Sequence, residues 1–133
     1  MVELRCEHNL LGKLPSDLHS LKVLVCHDDP LAELPDLPNH LERLNAANTR
    51  IHDISDLSRD LRFLDAANCR IDSAPQAWPG NLTILSLRGN LLTSCPALPE
   101  YLYQCDLRNN LLTQLPINAD EFDPNAKPRH FLY

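Results

Sequence analysis

Residues 82–99 read LTILSLRGNLLTSCPALP, and their spacing decides the fold. Leu82, Leu85, Leu87, Asn90, Leu92 and Cys95-Pro96 stand at offsets 0, 3, 5, 8, 10, 13 and 14 from the first leucine. Apolar residues two apart at offsets 3 and 5 mark one face of a strand, because alternate side chains of a strand point to opposite sides. An asparagine then turns the chain, and the prolines that follow favour an extended return. The frame fits again from Leu102, through Cys105, Leu107, Asn110, Leu112 and Leu115-Pro116. Working backwards it fits from Leu61, Leu41, Leu21 and Met1, a step of twenty broken once by one extra residue around Ala77-Trp78-Pro79-Gly80.

A unit of the form L-x-x-L-x-L-x-x-N-x-L is the leucine-rich repeat spacing. Each such unit is too small to bury its own apolar face and does so by stacking on the next. The fold expected is an α/β-class leucine-rich repeat solenoid of about six coils, with short parallel strands on the concave face, an extended, polyproline-like convex side and little helix. The coils begin at residues 1, 21, 41, 61, 82 and 102 and fill residues 1–116; residues 117–133 are a C-terminal cap or tail. Within that tail Phe122, Phe131, Leu132 and Tyr133 are apolar, and their simplest use is to cover the last coil. At offset 8 stand Asn9, Asp29, Thr49, Cys69, Asn90 and Asn110, expected to bond backbone groups of their own and the next coil that would otherwise be buried unpaired. Cys69 is the weakest of these, since a thiol is a poor donor and acceptor. Trp78 is expected to fill a gap on the convex side.

A repeat of twenty residues leaves no room for a convex helix. This short form, with L-P-x-L-P-x-x-L joining the coils at Leu34-Pro35-Asp36-Leu37-Pro38-Asn39-His40-Leu41 and closely echoed at Cys95-Pro96-Ala97-Leu98-Pro99-Glu100-Tyr101-Leu102, resembles the bacterial leucine-rich repeats of type III secreted effectors of the YopM and IpaH-like families. The resemblance covers about residues 1–116. It implies a bacterial effector with a role in virulence, cytoplasmic or delivered into a host cell by a dedicated apparatus. The helical hairpin with which such proteins usually begin has no counterpart here. IpaH-like proteins continue into a ubiquitin ligase region with a catalytic Cys-x-Asp. Cys105 is followed directly by Asp106 and falls in a strand, so the resemblance carries no ligase activity to this chain.

Composition narrows the function from another side. The 133 residues carry 12 basic and 18 acidic side chains, a net charge of −6, without the basic stripe that a nucleic acid or anionic membrane would require. No apolar run approaches the roughly eighteen residues of a membrane span. Glu3 and Glu7 stand where a secretory signal would be basic and apolar. The five cysteines, Cys6, Cys26, Cys69, Cys95 and Cys105, all fall on interior positions and read as buried free thiols, which fits a reducing compartment. Cys6 and Cys26 lie one strand apart, close enough for a disulfide to be conceivable but not expected.

No nucleophile elbow, zinc-protease motif or phosphate loop is present, and the three glycines leave no room for a glycine-rich loop. The chain therefore reads as a non-enzyme without cofactor. His8 and His27, with Asp28 beside them, could hold zinc, yet exposed edge residues need no such explanation and no metal is expected. What remains is surface. Offsets 2, 4 and 6 face outward on the sheet, and there Phe63 and Ile84 have no core to enter and are flanked by Arg43, Asp65 and Arg88. An apolar centre with a charged rim is how a protein-recognition patch is built, scattered surface residues being the plainer alternative. The expected contact set is Phe63, Ile84, Arg43, Asp65, Arg88, Asn45, His27 and Arg108, engaging a partner protein. The rival readings are the substrate-recognition part of an IpaH-like ubiquitin ligase, and self-association through the uncapped N-terminal edge.

Overall fold

The computed structural model of the chain describes residues 1–116 and 130–133. Seven three-residue strands follow one another: β1 Glu3–Arg5, β2 Val23–Val25, β3 Arg43–Asn45, β4 Phe63–Asp65, β5 Ile84–Ser86, β6 Gln104–Asp106 and β7 His130–Leu132. All pair in parallel with their sequence neighbours, giving one sheet ordered β1 to β7. The described residues contain no helix. This is the expected solenoid.

Register follows the repeat frame. Leu4, Leu24, Leu44, Leu64, Leu85 and Cys105 are successive partners across the sheet. Parallel strands need a crossover between them, and here the return segment of each coil supplies it without a helix. Pairing also runs past the strand ends. The offset-7 N–H of each of the first five coils donates to the offset-6 carbonyl of the next, as in Asp28 to Ala47 at 3.0 Å and Asn68 to Arg88 at 2.7 Å. Before each of β2 to β6 an i to i−3 bond closes a tight turn, for example Leu82 N–H to Pro79 at 3.1 Å. Backbone groups of the coil are thus largely satisfied by neighbouring coils.

The core is the inward row from Leu24 to Cys105 together with Leu21, Leu41, Leu61, Leu82 and Leu102 at offset 0 and the offset-10 residues Leu31, Ile51, Ile71 and Leu92, all within 1% of complete burial, with Leu4 partly buried against it. Trp78 joins it on the return side, its ring buried and its indole N–H without an oxygen or nitrogen partner, lying instead against the Cys95 thiol.

The seventh strand departs from the six coils expected. Phe131 pairs with Cys105 in β6, an interval of twenty-six residues rather than twenty, and packs partly buried against the core. The last coil is therefore covered by strand addition as well as by apolar contact. Phe122 and the rest of the predicted tail up to residue 129 lie outside the described residues.

The offset-8 side chains do bond the backbone, but Asn9 and Thr49 stay within their own coil, and Asp29, Cys69, Asn90 and Asn110 reach the preceding coil rather than the next. Asn110 donates from Nδ2 to Leu107 of its own coil at 2.9 Å and to Leu87 of the coil before at 2.8 Å, while its Oδ1 accepts the Leu92 N–H at 3.1 Å. Cys69 follows the same pattern weakly, with its sulfur 3.2 Å from the carbonyl of Ala46. Asp29 does not complete it. Its Oδ1 accepts the N–H groups of Asn9 and Leu11 at 3.0 and 3.1 Å, but Oδ2 is buried with no partner. An amide there would present a donor where Asn110 presents one, so Asp29→Asn is expected to stabilise the protein by about 1 kcal/mol or more. A thermal melt checks this; an unchanged or lower midpoint would refute it.

Candidate functional site

The outward side of the sheet carries the expected contact residues in two adjoining rows. In the first, Arg43, Phe63 and Ile84 are successive register partners on β3, β4 and β5. The Arg43 guanidinium carbon lies 3.8 Å from the centre of the Phe63 ring. That stacking is a cation–π contact, worth about 0.5 to 1 kcal/mol at an exposed site. Its consequence is order: an arginine that would otherwise sample many rotamers is held flat on a half-buried ring, with half-buried Ile84 beside it.

The second row, at offset 4, is partly committed to the backbone. Oδ1 of Asn45 accepts the Ala47 N–H at 3.2 Å, Asp65 does the same for Ala67 at 3.1 Å, and Asp106 for Arg108 at 3.1 Å. Each is an Asx-turn, in which a short side chain replaces the carbonyl two residues back. Asp106 also takes the Arg108 guanidinium, Nε to Oδ1 at 3.0 Å and a terminal nitrogen to Oδ2 at 2.8 Å. The arginine holds that carboxyl below the usual carboxylate range. Arg108 is therefore a locally paired charge, whereas Arg88 is exposed. Two other outward positions are closed off. Val25 lies in register between the longer Arg5 and Asn45, and Ala47 is a methyl that does not reach past its neighbours; both are buried.

His27 belongs to a different neighbourhood. At offset 7 the chain adopts the left-handed conformation in every coil: His8, Asp28, Asn48, Asn68 and Asn109 have φ of 60, 60, 55, 53 and 59°, and Gly89 has 71°. Most of these are the residue types that tolerate it. Their side chains form a ladder, Asn68 Nδ2 to Asn48 Oδ1 at 3.1 Å and Asn48 Nδ2 to Asp28 Oδ1 at 2.8 Å. Glycine ends it at coil five, where a Cβ would collide with Asn68 Oδ1. At the other end Asp28 Oδ2 meets His27 Nδ1 at 2.5 Å and His8 Nδ1 at 3.4 Å, and the two imidazoles stand edge to face at 4.9 Å. The His27 hydrogen bond, then that of Asn48, holds the Asp28 carboxyl below its ordinary range. Among the described residues this is the one group of three His, Cys, Asp or Glu side chains whose ligand atoms come within 4.8 Å of one another.

All five cysteines are free thiols. Burial pushes Cys26 and Cys105 up to about 12 and Cys95 up to about 11, so these sulfurs stay protonated and are poor nucleophiles. No helix of the described residues is long and apolar enough to cross a membrane.

The chain matches no family model and no curated protein. Solved structures do match. A Shigella effector leucine-rich repeat domain superposes over 100% of this chain and 58% of its own length at a TM-score of 0.89 and 28% identity. The fold is a leucine-rich repeat solenoid. Two structures of the leucine-rich effector YopM are also similar, from Yersinia enterocolitica (TM-score 0.82, 32% identity, 87% of this chain and 26% of that one) and from Yersinia pestis (0.82, 32%, 86% and 33%). The chain thus spans between about a quarter and three-fifths of the solved chains it resembles.

Within this leucine-rich repeat solenoid, sequence reading passed over three features of the surface. The Asx-turns were signalled by Asn45, Asp65 and Asp106 two residues before the turn. The asparagine ladder was signalled by Asn48, Asn68 and Asn109 recurring at offset 7. The pairing of Arg108 with Asp106 had only the weak signal of opposite charges two apart on one strand face.

Proposed function

We propose that this leucine-rich repeat solenoid is a non-enzymatic interaction module that binds a partner protein on the outward face of its sheet. The observation that carries this reading is the Arg43 guanidinium stacked on Phe63 beside Ile84, a pre-ordered apolar and cationic centre near the middle of the sheet. Aromatic and arginine side chains held in one conformation lose little entropy when a partner docks, which is why they dominate binding energies. Asp65 and Arg88 supply the charged rim. Likeness to a Shigella effector domain and to YopM supports a bacterial effector acting on a host protein, delivered by a dedicated secretion apparatus.

Phe63→Ala is the direct test. Because Phe63 is only half buried, stability should fall by about 1 kcal/mol or less, while capture of partners from host lysate should drop at least about tenfold. A large stability loss would make Phe63 a core residue and overturn the assignment. Two narrower readings remain proposals of the same kind. A substrate-recognition role for an IpaH-like ubiquitin ligase rests on the sequence resemblance alone, and is tested by whether a fused ligase region ubiquitinates the captured protein. Self-association through the outer edge of β1 is tested by light scattering at several concentrations, and a strictly monomeric result disposes of it.

A further inference from the structure

We propose that His8, His27 and Asp28 form a binding site for a divalent first-row transition metal ion of the zinc class, at the N-terminal end of the offset-7 ladder. Two imidazoles and one carboxylate are a donor set that suits such ions. At zinc–ligand distances of about 2.0 to 2.2 Å, tetrahedral ligand atoms stand roughly 3.3 Å apart. His8 Nδ1 and Asp28 Oδ2 are already 3.4 Å apart. The His27 Nδ1 to Asp28 Oδ2 contact of 2.5 Å is a hydrogen bond, and it opens by less than an ångström when a metal ion takes the place of the shared proton.

The backbone fixes this arrangement before any ion arrives. His8 and Asp28 both sit at φ 60°, with their N–H groups bonded to His27 and Ala47 of the next coils at 3.1 and 3.0 Å. Histidine, like asparagine, tolerates the left-handed region, and at His8 it puts an imidazole at the offset where three other coils carry an amide. Asn48 supplies the supporting contact: its Nδ2 holds Asp28 Oδ1 at 2.8 Å and so turns Oδ2 toward both histidines. Ligands oriented by such outer hydrogen bonds are a regular property of metal sites. Beside the cluster, Glu7 precedes His8 and occupies the frame position of His27 one coil earlier, and its Oε2 is buried without a hydrogen-bond partner. That uncompensated carboxylate oxygen adds to the attraction for a cation. His8 is 68% exposed, which gives an ion its entry path. Three protein ligands leave a coordination position for water or for a side chain of a docking partner.

The test uses the full chain without a histidine tag, stripped with chelator and titrated calorimetrically with zinc chloride. One equivalent should bind with a Kd of about ten micromolar or tighter, and a hundredfold excess over Kd should raise the melting midpoint by roughly 3 °C or more. His8→Asn and Asp28→Asn install the residue that coils three, four and six carry at this position, so both variants should fold and keep their apo midpoints within a few degrees. Each should weaken zinc binding at least about tenfold. Cobalt(II) should give the visible absorption of a nitrogen and oxygen site, without a thiolate band in the near ultraviolet. Absence of zinc binding at 100-fold above that Kd, undiminished binding in the double variant, or a thiolate band would each overturn the site.

Discussion

Replacing Asn90 by alanine is expected to lower the unfolding free energy by about 3 kcal/mol or more, although the side chain removed is polar and small. Asn90 is 4% exposed and works in both directions. Its Nδ2 donates to Ala66 of the preceding coil at 2.8 Å and to Leu87 of its own coil at 3.0 Å, and its Oδ1 accepts the Ile71 N–H at 3.0 Å. Alanine would take their side-chain partner from the buried Ile71 N–H and the Ala66 carbonyl, while the Leu87 carbonyl keeps the Asn110 amide at 2.8 Å. Each such group costs about 1 to 3 kcal/mol. Asn90→Asp separates the two halves of the effect: it keeps the acceptor for Ile71 but sets a second oxygen against the two carbonyls, so it should be no better than alanine. Asn110→Ala, at a half-buried and more terminal position, should cost less. Urea unfolding with the m-value held in view measures all three, and a loss below about 1 kcal/mol for Asn90→Ala would show that water replaces the amide.

The order of that ladder of side chains explains what could and could not be read from the sequence. Periodicity is enforced by packing, so Leu24, Leu44, Leu64 and Leu85 recur at a step of twenty, broken by one extra residue before Leu85, and their row was legible without coordinates. So was the placement of Arg43 beside Phe63, since a step of twenty makes offset-2 residues neighbours. β7 was not legible, because residues 130–132 come twenty-six rather than twenty after β6 and lack the frame's leucines. The surface was legible only in part. Offset says which way a side chain leaves the strand, but not what its polar atoms then bond. Arg108, one of the expected contact residues, has its guanidinium engaged by Asp106, and Val25, at an outward offset, is buried. The trio of His8, His27 and Asp28 was visible in the sequence as a set able to hold zinc, with no metal expected, because spacing alone does not give the distances between their ligand atoms. Its members sit at two different offsets in two coils, and only the left-handed turns at His8 and Asp28 bring their ring and carboxylate atoms together.

Leu64→Ala should be the other large effect, about 2 to 5 kcal/mol. Leu64 is fully buried and lies in register between Leu44 and Leu85, near the middle of the array. Large-to-small changes cost more when the site cannot collapse, and here collapse is hindered. The flanking offset-5 positions are Ala46 and Ala66, whose methyl groups cannot extend into a void, and the backbone on either side is pinned by bonds such as Ala46 N–H to Asp65 at 2.8 Å and Ala66 N–H to Ser86 at 2.9 Å. The cavity would therefore persist. Because a coil contacts only its neighbours, the damage falls on the junctions between coils three, four and five rather than on the array as a whole. Amide hydrogen exchange should then show protection lost first at residues 41–90, with coil two and coil six retaining more of theirs. The matching change in the first coil, Leu4→Ala, removes a half-buried side chain with a neighbour on one side only, and should cost about 1 kcal/mol. Equal losses for the two variants, or uniform loss of protection along the chain, would mean that the array melts as one cooperative block and that position within the stack does not govern the cost of a cavity.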